Sequence, residues 1–136
     1  AEAFGVRPDE VTFTASGTEA VHRGLLGLHR GAQRLGGTLV HTAVEHSSVL
    51  QAAAWTGSPV RSVAVDATGR VRVDDLDLTD ASVVACQSAN LEVGTVQPVA
   101  AVSDRAGPVP VFVDACASAG RCALRWQIAR RYCAQK

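Results

Sequence analysis

Four short segments carry the residue types that chemistry needs: Ser16-Gly17-Thr18, Glu45-His46, the polar stretch 88–94 with Asn90, and Asp114. Each follows a strand-like run of apolar residues. In an open parallel sheet, ligands sit outside the carboxyl ends of the strands, so the four segments are expected to converge. Ser16-Gly17-Thr18 lies between a strand pattern and a helix pattern. Free backbone N–H groups and the helix dipole at such a junction favour an anion such as phosphate. The same residues also suit a plain helix cap. They match neither the Walker loop nor the dinucleotide glycine pattern. His46, at the head of a helix pattern, can stack on an aromatic ring or move protons, or can be an ordinary surface histidine. Asp114 closes a hydrophobic strand, where a carboxylate can keep a ring nitrogen protonated or cap the turn that follows. His22 and His29 lie seven apart without a metal-ligand pattern, and they and the strand residue His41 are expected to be structural.

The elements that must position these residues alternate. Residues 11–14 read as a strand, and 20–35 as an amphipathic helix with apolar residues at steps of three and four, ended by Gly36-Gly37. Residues 38–42 read as a strand; a capping serine at 47 or 48 precedes a helix closed by 57–59. Residues 60–65 form a strand, 71–73 a short extended piece and 74–80 an acidic surface segment. The continuous apolar run 81–87 has the composition of a strand buried on both faces of a parallel sheet. A polar loop over 88–97 leads to Pro98 at a helix start, the helix ends near Ala106, and 109–113 is a further buried strand. The class expected is α/β: a mostly parallel sheet with helices on both faces.

Composition narrows the partners. The 13 basic and 13 acidic side chains cancel, and no basic stripe precedes the tail, so nucleic acid is not an expected partner. No apolar run approaches a membrane span, and no secretory signal opens the chain. Cys86, Cys116, Cys122 and Cys133 fit neither a C-x-x-C pair nor a zinc ribbon, which suits reduced thiols in the cytoplasm. Residues 121–136 hold four arginines, one lysine and no acid. The expectation is therefore a partial domain over 1–121 and an atypical basic tail over 122–136, either a solvated basic helix or out-of-frame translation.

Four motifs occur in register: Phe13-Thr14-Ala15-Ser16-Gly17-Thr18-Glu19-Ala20, Glu45-His46-Ser47-Ser48-Val49-Leu50, Ala89-Asn90-Leu91-Glu92-Val93-Gly94-Thr95-Val96-Gln97-Pro98, and Phe112-Val113-Asp114-Ala115. Together they resemble the class V aminotransferase family, and most of all its cysteine desulfurases. The resemblance implies part of the large domain of a fold type I transferase that uses pyridoxal 5'-phosphate (PLP), works as a homodimer and acts on an amino acid. By position it implies that Gly17 and Thr18 hold the phosphate, that His46 stacks on the pyridine ring and assists proton transfer, and that Asp114 pairs with the pyridine nitrogen. The family's asparagine beside the ring hydroxyl falls at Leu91, next to Asn90, which is expected to face the cofactor. Ala117 stands where a glutamine is common.

The family's Ser-x-His-Lys segment and its later cysteine-bearing loop have no counterpart here, and the single lysine is the terminal Lys136. The chain has no methionine and opens abruptly at Ala1-Glu2-Ala3-Phe4-Gly5, so it is expected to begin mid-domain. Because PLP enzymes hold their cofactor on a lysine amine, it is expected to show no turnover alone. Open sheet edges also predict poor solubility. The alternative is a non-catalytic remnant that binds a partner or an intact homologue. A serine hydrolase built on Ser16, His46 and Asp114 fits poorly: Thr14 occupies the place of the glycine that a nucleophile elbow requires, and the order of the three is wrong.

Overall fold

The computed structural model describes residues 6–121. Expectations for the tail, including Lys136, Cys122 and Cys133, lie outside the described residues. Four strands pair in parallel in the order β2-β1-β3-β6, where β1 is Thr38–Thr42, β2 Val60–Val63, β3 Ala81–Gln87 and β6 Val111–Asp114. Every residue of β3 is buried, as its largely apolar composition suits in a strand with neighbours on both sides. Helices α1 (Gly17–Gly31) and α2 (Ser47–Trp55) cover one face, where Val21, Leu25, Val49 and Ala52 pack on Leu39, Val83 and Ala85. Helix α3 (Val99–Ala106) covers the other, with Val99, Val102 and Ala106 against Val40, Val84 and Cys86. The expected two-faced α/β sheet is the observed one.

Several boundaries differ. Residues 11–14 form no strand: Phe13 is 92% exposed, and β propensity without a neighbour to pair with builds no ladder. Helix α1 starts three residues before the expected Ala20, because Ser16 caps it by accepting the Glu19 N–H at 3.1 Å. It ends at Gly31 rather than at Leu35, and residues 32–35 form a turn. The cap of α2 is His46, not a serine. Strand β2 stops at Val63; Val65 and Val71 then meet in an isolated antiparallel bridge. The expected loop 88–97 contains a two-stranded hairpin, β4 (Ala89–Asn90) and β5 (Thr95–Val96), with Gly94 at φ 71°. Strand β6 is half-buried rather than buried, being at the edge of the described sheet.

His29 is structural, as expected. Ser82 donates its hydroxyl to Thr38 O at 3.0 Å, so it accepts from His29 Nδ1–H at 2.7 Å, and Nε2 accepts from Ser58 at 3.0 Å. Burial, then the neighbouring Arg30, holds the His29 pKa below its ordinary value. His41 Nδ1 bonds the Thr42 carbonyl at 2.8 Å and is committed to the backbone.

Candidate functional site

A cavity of about 590 Å³ opens where the carboxyl ends of β1, β3 and β6 meet the N-terminus of α1. Its wall includes Gly17, Thr18, His46, Asn90 and Asp114, the five residues singled out from the sequence. They come from four separated segments, and only the parallel sheet brings them together.

At α1, Ser16 is the cap, and the Glu19 carboxylate accepts the Ala15 N–H at 2.9 Å. The cap interaction therefore uses neither Gly17 nor Thr18. The exposed Thr18 hydroxyl has no hydrogen-bond partner among the described residues, and it stands in the first turn, where the dipole favours an anion. Ser16 is no nucleophile: its oxygen is occupied as the cap, and His46 bonds Ser48 rather than Ser16 or Asp114. This removes the hydrolase reading.

His46 Nδ1 accepts the Ser48 N–H at 3.2 Å. A ring nitrogen that accepts carries no proton, so the neutral imidazole holds its hydrogen on Nε2. Capping α2 thus fixes the tautomer of an exposed ring at the cavity wall.

Asp114 ends β6 in register with Gln87 of β3. Its carbonyl accepts Ser88 N–H at 2.8 Å and the Ser88 hydroxyl at 3.0 Å, and its Oδ1 accepts Cys116 N–H at 2.9 Å. The carboxylate therefore caps the turn after β6 through one oxygen while lining the cavity. The Cys116 thiol beside it is pushed up, first by burial and then by Asp114; burial likewise pushes up the Cys86 thiol. Neither is a ready thiolate nucleophile.

Asn90 is engaged with protein. Its Oδ1 accepts Glu92 N–H at 2.8 Å and Val93 N–H at 3.0 Å, closing the hairpin turn, and its amide donates to Val44 O at 3.1 Å. Leu91, beside it on the wall, is 71% exposed.

Two wall residues carried no role in the sequence reading. Gln87 ends β3 and donates its side-chain amide to Val44 O. Glu45 is 7% exposed; its Oε1 accepts the Thr42 hydroxyl at 2.5 Å and Gln87 N–H at 2.8 Å, while Oε2 has no partner. Burial pushes its pKa up to about 7, against the pull of the Thr42 and Gln87 hydrogen bonds and with the help of the Asp114 charge. A glutamate beside a histidine at a helix head looks solvated in sequence; its burial follows only from the loop folding back over β3.

The chain is similar to known proteins in sequence and in fold. The profile of the class V aminotransferases matches residues 1–127. An IscS-like cysteine desulfurase of Mycobacterium tuberculosis is 34% identical over 91% of this chain and 35% of its own length. A NifS/IcsS protein homolog of Lactobacillus delbrueckii subsp. bulgaricus is 32% identical over 76% of this chain and 29% of its own. Among solved structures, a NifS-like protein superposes with a TM-score of 0.73 at 31% identity, over 84% of this chain and 34% of that one. An apo cysteine desulfurase of Thermococcus onnurineus superposes with a TM-score of 0.75 at 25% identity, over 88% of this chain and 32% of that one. The chain spans about a third of the length of these relatives. With a profile match over most of its residues and a parallel sheet that superposes on NifS-like proteins, the chain belongs to the class V aminotransferase family.

Proposed function

We propose that this chain forms the cofactor-holding wall of a PLP-dependent cysteine desulfurase or class V aminotransferase that acts on an amino acid as a homodimer. The observation that carries the reading is the single cavity on which the N-terminus of α1, His46 and Asp114 converge from distant segments. Its volume lies within the roughly 300–1,000 Å³ of small-molecule sites.

The donor set fits the cofactor. Gly17, Thr18 and the first-turn N–H groups of α1 suit a phosphate dianion. Among the described residues, no lysine or arginine lines the cavity, which leaves the phosphate charge to the helix terminus and the Thr18 hydroxyl. Asp114 suits a protonated ring nitrogen, and the exposed His46 imidazole suits the face of an aromatic ring. When bound, PLP supplies an electron sink for negative charge developing on the substrate's α-carbon. Asp114 keeps the ring nitrogen protonated by offering it a carboxylate. His46, anchored through Nδ1, presents its only proton on Nε2, where it can be held or passed. Neither Cys86 nor Cys116 is suited to carry sulfur, and the described residues contain no lysine.

The test is induced circular dichroism of the chain in the absorption band of added PLP. A saturable signal is expected, with affinity reduced roughly 10- to 100-fold by Asp114→Ala, the range for losing a hydrogen bond to a charged group. An absent signal in the wild-type chain would overturn the reading. With L-cysteine, the chain alone is expected to release no sulfide.

A further inference from the structure

Glu45 is the buried group that the proposed chemistry leaves unused. Its carboxyl is bound on one side only: Oε1 takes two hydrogen bonds and Oε2 takes none. An ionised carboxylate, with several acceptor sites, is badly served by that arrangement. A protonated acid fits it better, with Oε1 as the carbonyl oxygen and Oε2 as the hydroxyl. The backbone N–H that Oε1 accepts belongs to Gln87, the register partner of Asp114. Glu45 and Asp114 thus flank one residue at the ends of adjacent parallel strands, and both line the same cavity.

The other ionisable groups on that cavity wall are His46 on the α2 cap, Glu92 on the hairpin and Cys116 after β6; Cys86 lies beneath, within the field of Glu45. Among the described residues, no fixed cation lines the cavity. A buried carboxyl that shares an acidic cavity with a second carboxyl is costly to ionise, so it keeps its proton. Asp114 is half-buried and has a backbone donor on Oδ1; Glu45 is the more buried of the two.

We propose that Glu45 and Asp114 are a coupled acid pair, in which Asp114 carries the charge and Glu45 the proton, and that Glu45 releases its proton to solvent when a cationic ring settles beside Asp114. Burial is the main reason that Glu45 keeps its proton, and the ring's positive charge offsets the repulsion from Asp114 that adds to it. Filling the site would then leave two carboxylates around one cation. The raised pKa of Glu45, near neutrality, puts this exchange within the working range of the protein. The ligand class rests on the PLP reading; the coupling of the two acids does not.

The experiment is a pH titration by NMR of the full chain carrying carboxyl-labelled glutamate, alone and with pyridoxamine 5'-phosphate, which has the ring and phosphate but no aldehyde. One glutamate carbon is expected to titrate near neutrality and to be missing in Glu45→Gln. Saturating probe should lower its midpoint by roughly one unit or more, the size of effect a neighbouring charge exerts. Asp114→Asn should lower it without any probe. A midpoint that ignores the Asp114→Asn change sinks the pair, even if the probe binds. A midpoint that ignores bound probe sinks the exchange. If the probe does not bind at all, the cofactor reading falls, and the Asp114→Asn titration still decides whether the acids are coupled. Should that variant not fold, the wild-type midpoint is decisive: titration with the ordinary carboxyls overturns the proposal.

Discussion

The Asn90 side-chain amide donates to the backbone carbonyl of Val44 at 3.1 Å, and the Gln87 amide reaches the same oxygen. One carbonyl between β1 and α2 is thereby clamped to the end of β3 and to the hairpin. The clamp holds the residue just before Glu45 and His46, so the position of both depends on it. Asn90 contributes to the site chiefly by holding its wall together.

Replacing Asn90 with alanine removes three hydrogen bonds at once, two in the hairpin turn and one to Val44. Part of the cost is recovered because the turn is exposed and water can reach it. A loss of about 1–3 kcal/mol is expected in chemical denaturation. PLP binding should weaken as well, since the wall loosens. Unchanged stability would mean that the clamp is idle.

The layered sheet was legible because its signals are local. The apolar run 81–87 could only be a central strand, and it is; 38–42 was found to the residue. Helix ends were less legible, because caps are decided by one side chain each: Ser16 started α1 ahead of its stripe, and His46 took the capping place expected of a serine. The strand expected at 11–14 failed for a different reason, since a ladder needs a partner and propensity does not supply one. At the cavity, Gly17 and Thr18 were visible at a helix head, and His46 and Asp114 as polar residues at or just beyond strand ends. Glu45 was named beside His46 but was given no role of its own. Its burial and its unpartnered oxygen arise from packing between segments 42 residues apart, and no sequence pattern carries that.

Two glycines offer a controlled comparison. A β-carbon on Gly36 would stand 2.2 Å from the Asp80 carbonyl oxygen, which is backbone and cannot swing away. Gly27 faces open space inside α1. Gly36→Ala should therefore cost several kcal/mol or prevent folding, whereas Gly27→Ala should stabilise by about 0.5–1 kcal/mol through helix propensity. Thermal melts of the two variants should move in opposite directions.

The acid at position 45 makes stability depend on pH, with a definite sign. In the folded chain Glu45 binds its proton up to about 7, whereas an unfolded glutamate releases it near pH ~4.3. Protonation therefore favours the folded state. The contribution is complete below the unfolded value and is lost as pH rises through the folded one, a change on the order of 3 kcal/mol. Glu45→Gln, neutral at every pH, should be more stable than wild type at pH ~8 and should lose that advantage by pH ~4. Parallel pH profiles of melting temperature for the two proteins would refute the assignment.

His46 performs two tasks that substitution can separate. As the α2 cap it satisfies the Ser48 N–H, and as a ring on the cavity wall it presents Nε2. His46→Ala removes both, and should cost about 1 kcal/mol of stability together with ligand affinity. Asparagine is among the best capping residues and reaches the same N–H. His46→Asn should therefore keep most of the stability and still lose the affinity that comes from stacking. Binding of pyridoxamine 5'-phosphate by calorimetry, beside denaturant melts, reads the two tasks independently. If the asparagine variant binds the probe as tightly as wild type, the ring does not touch the ligand, and His46 is a cap alone.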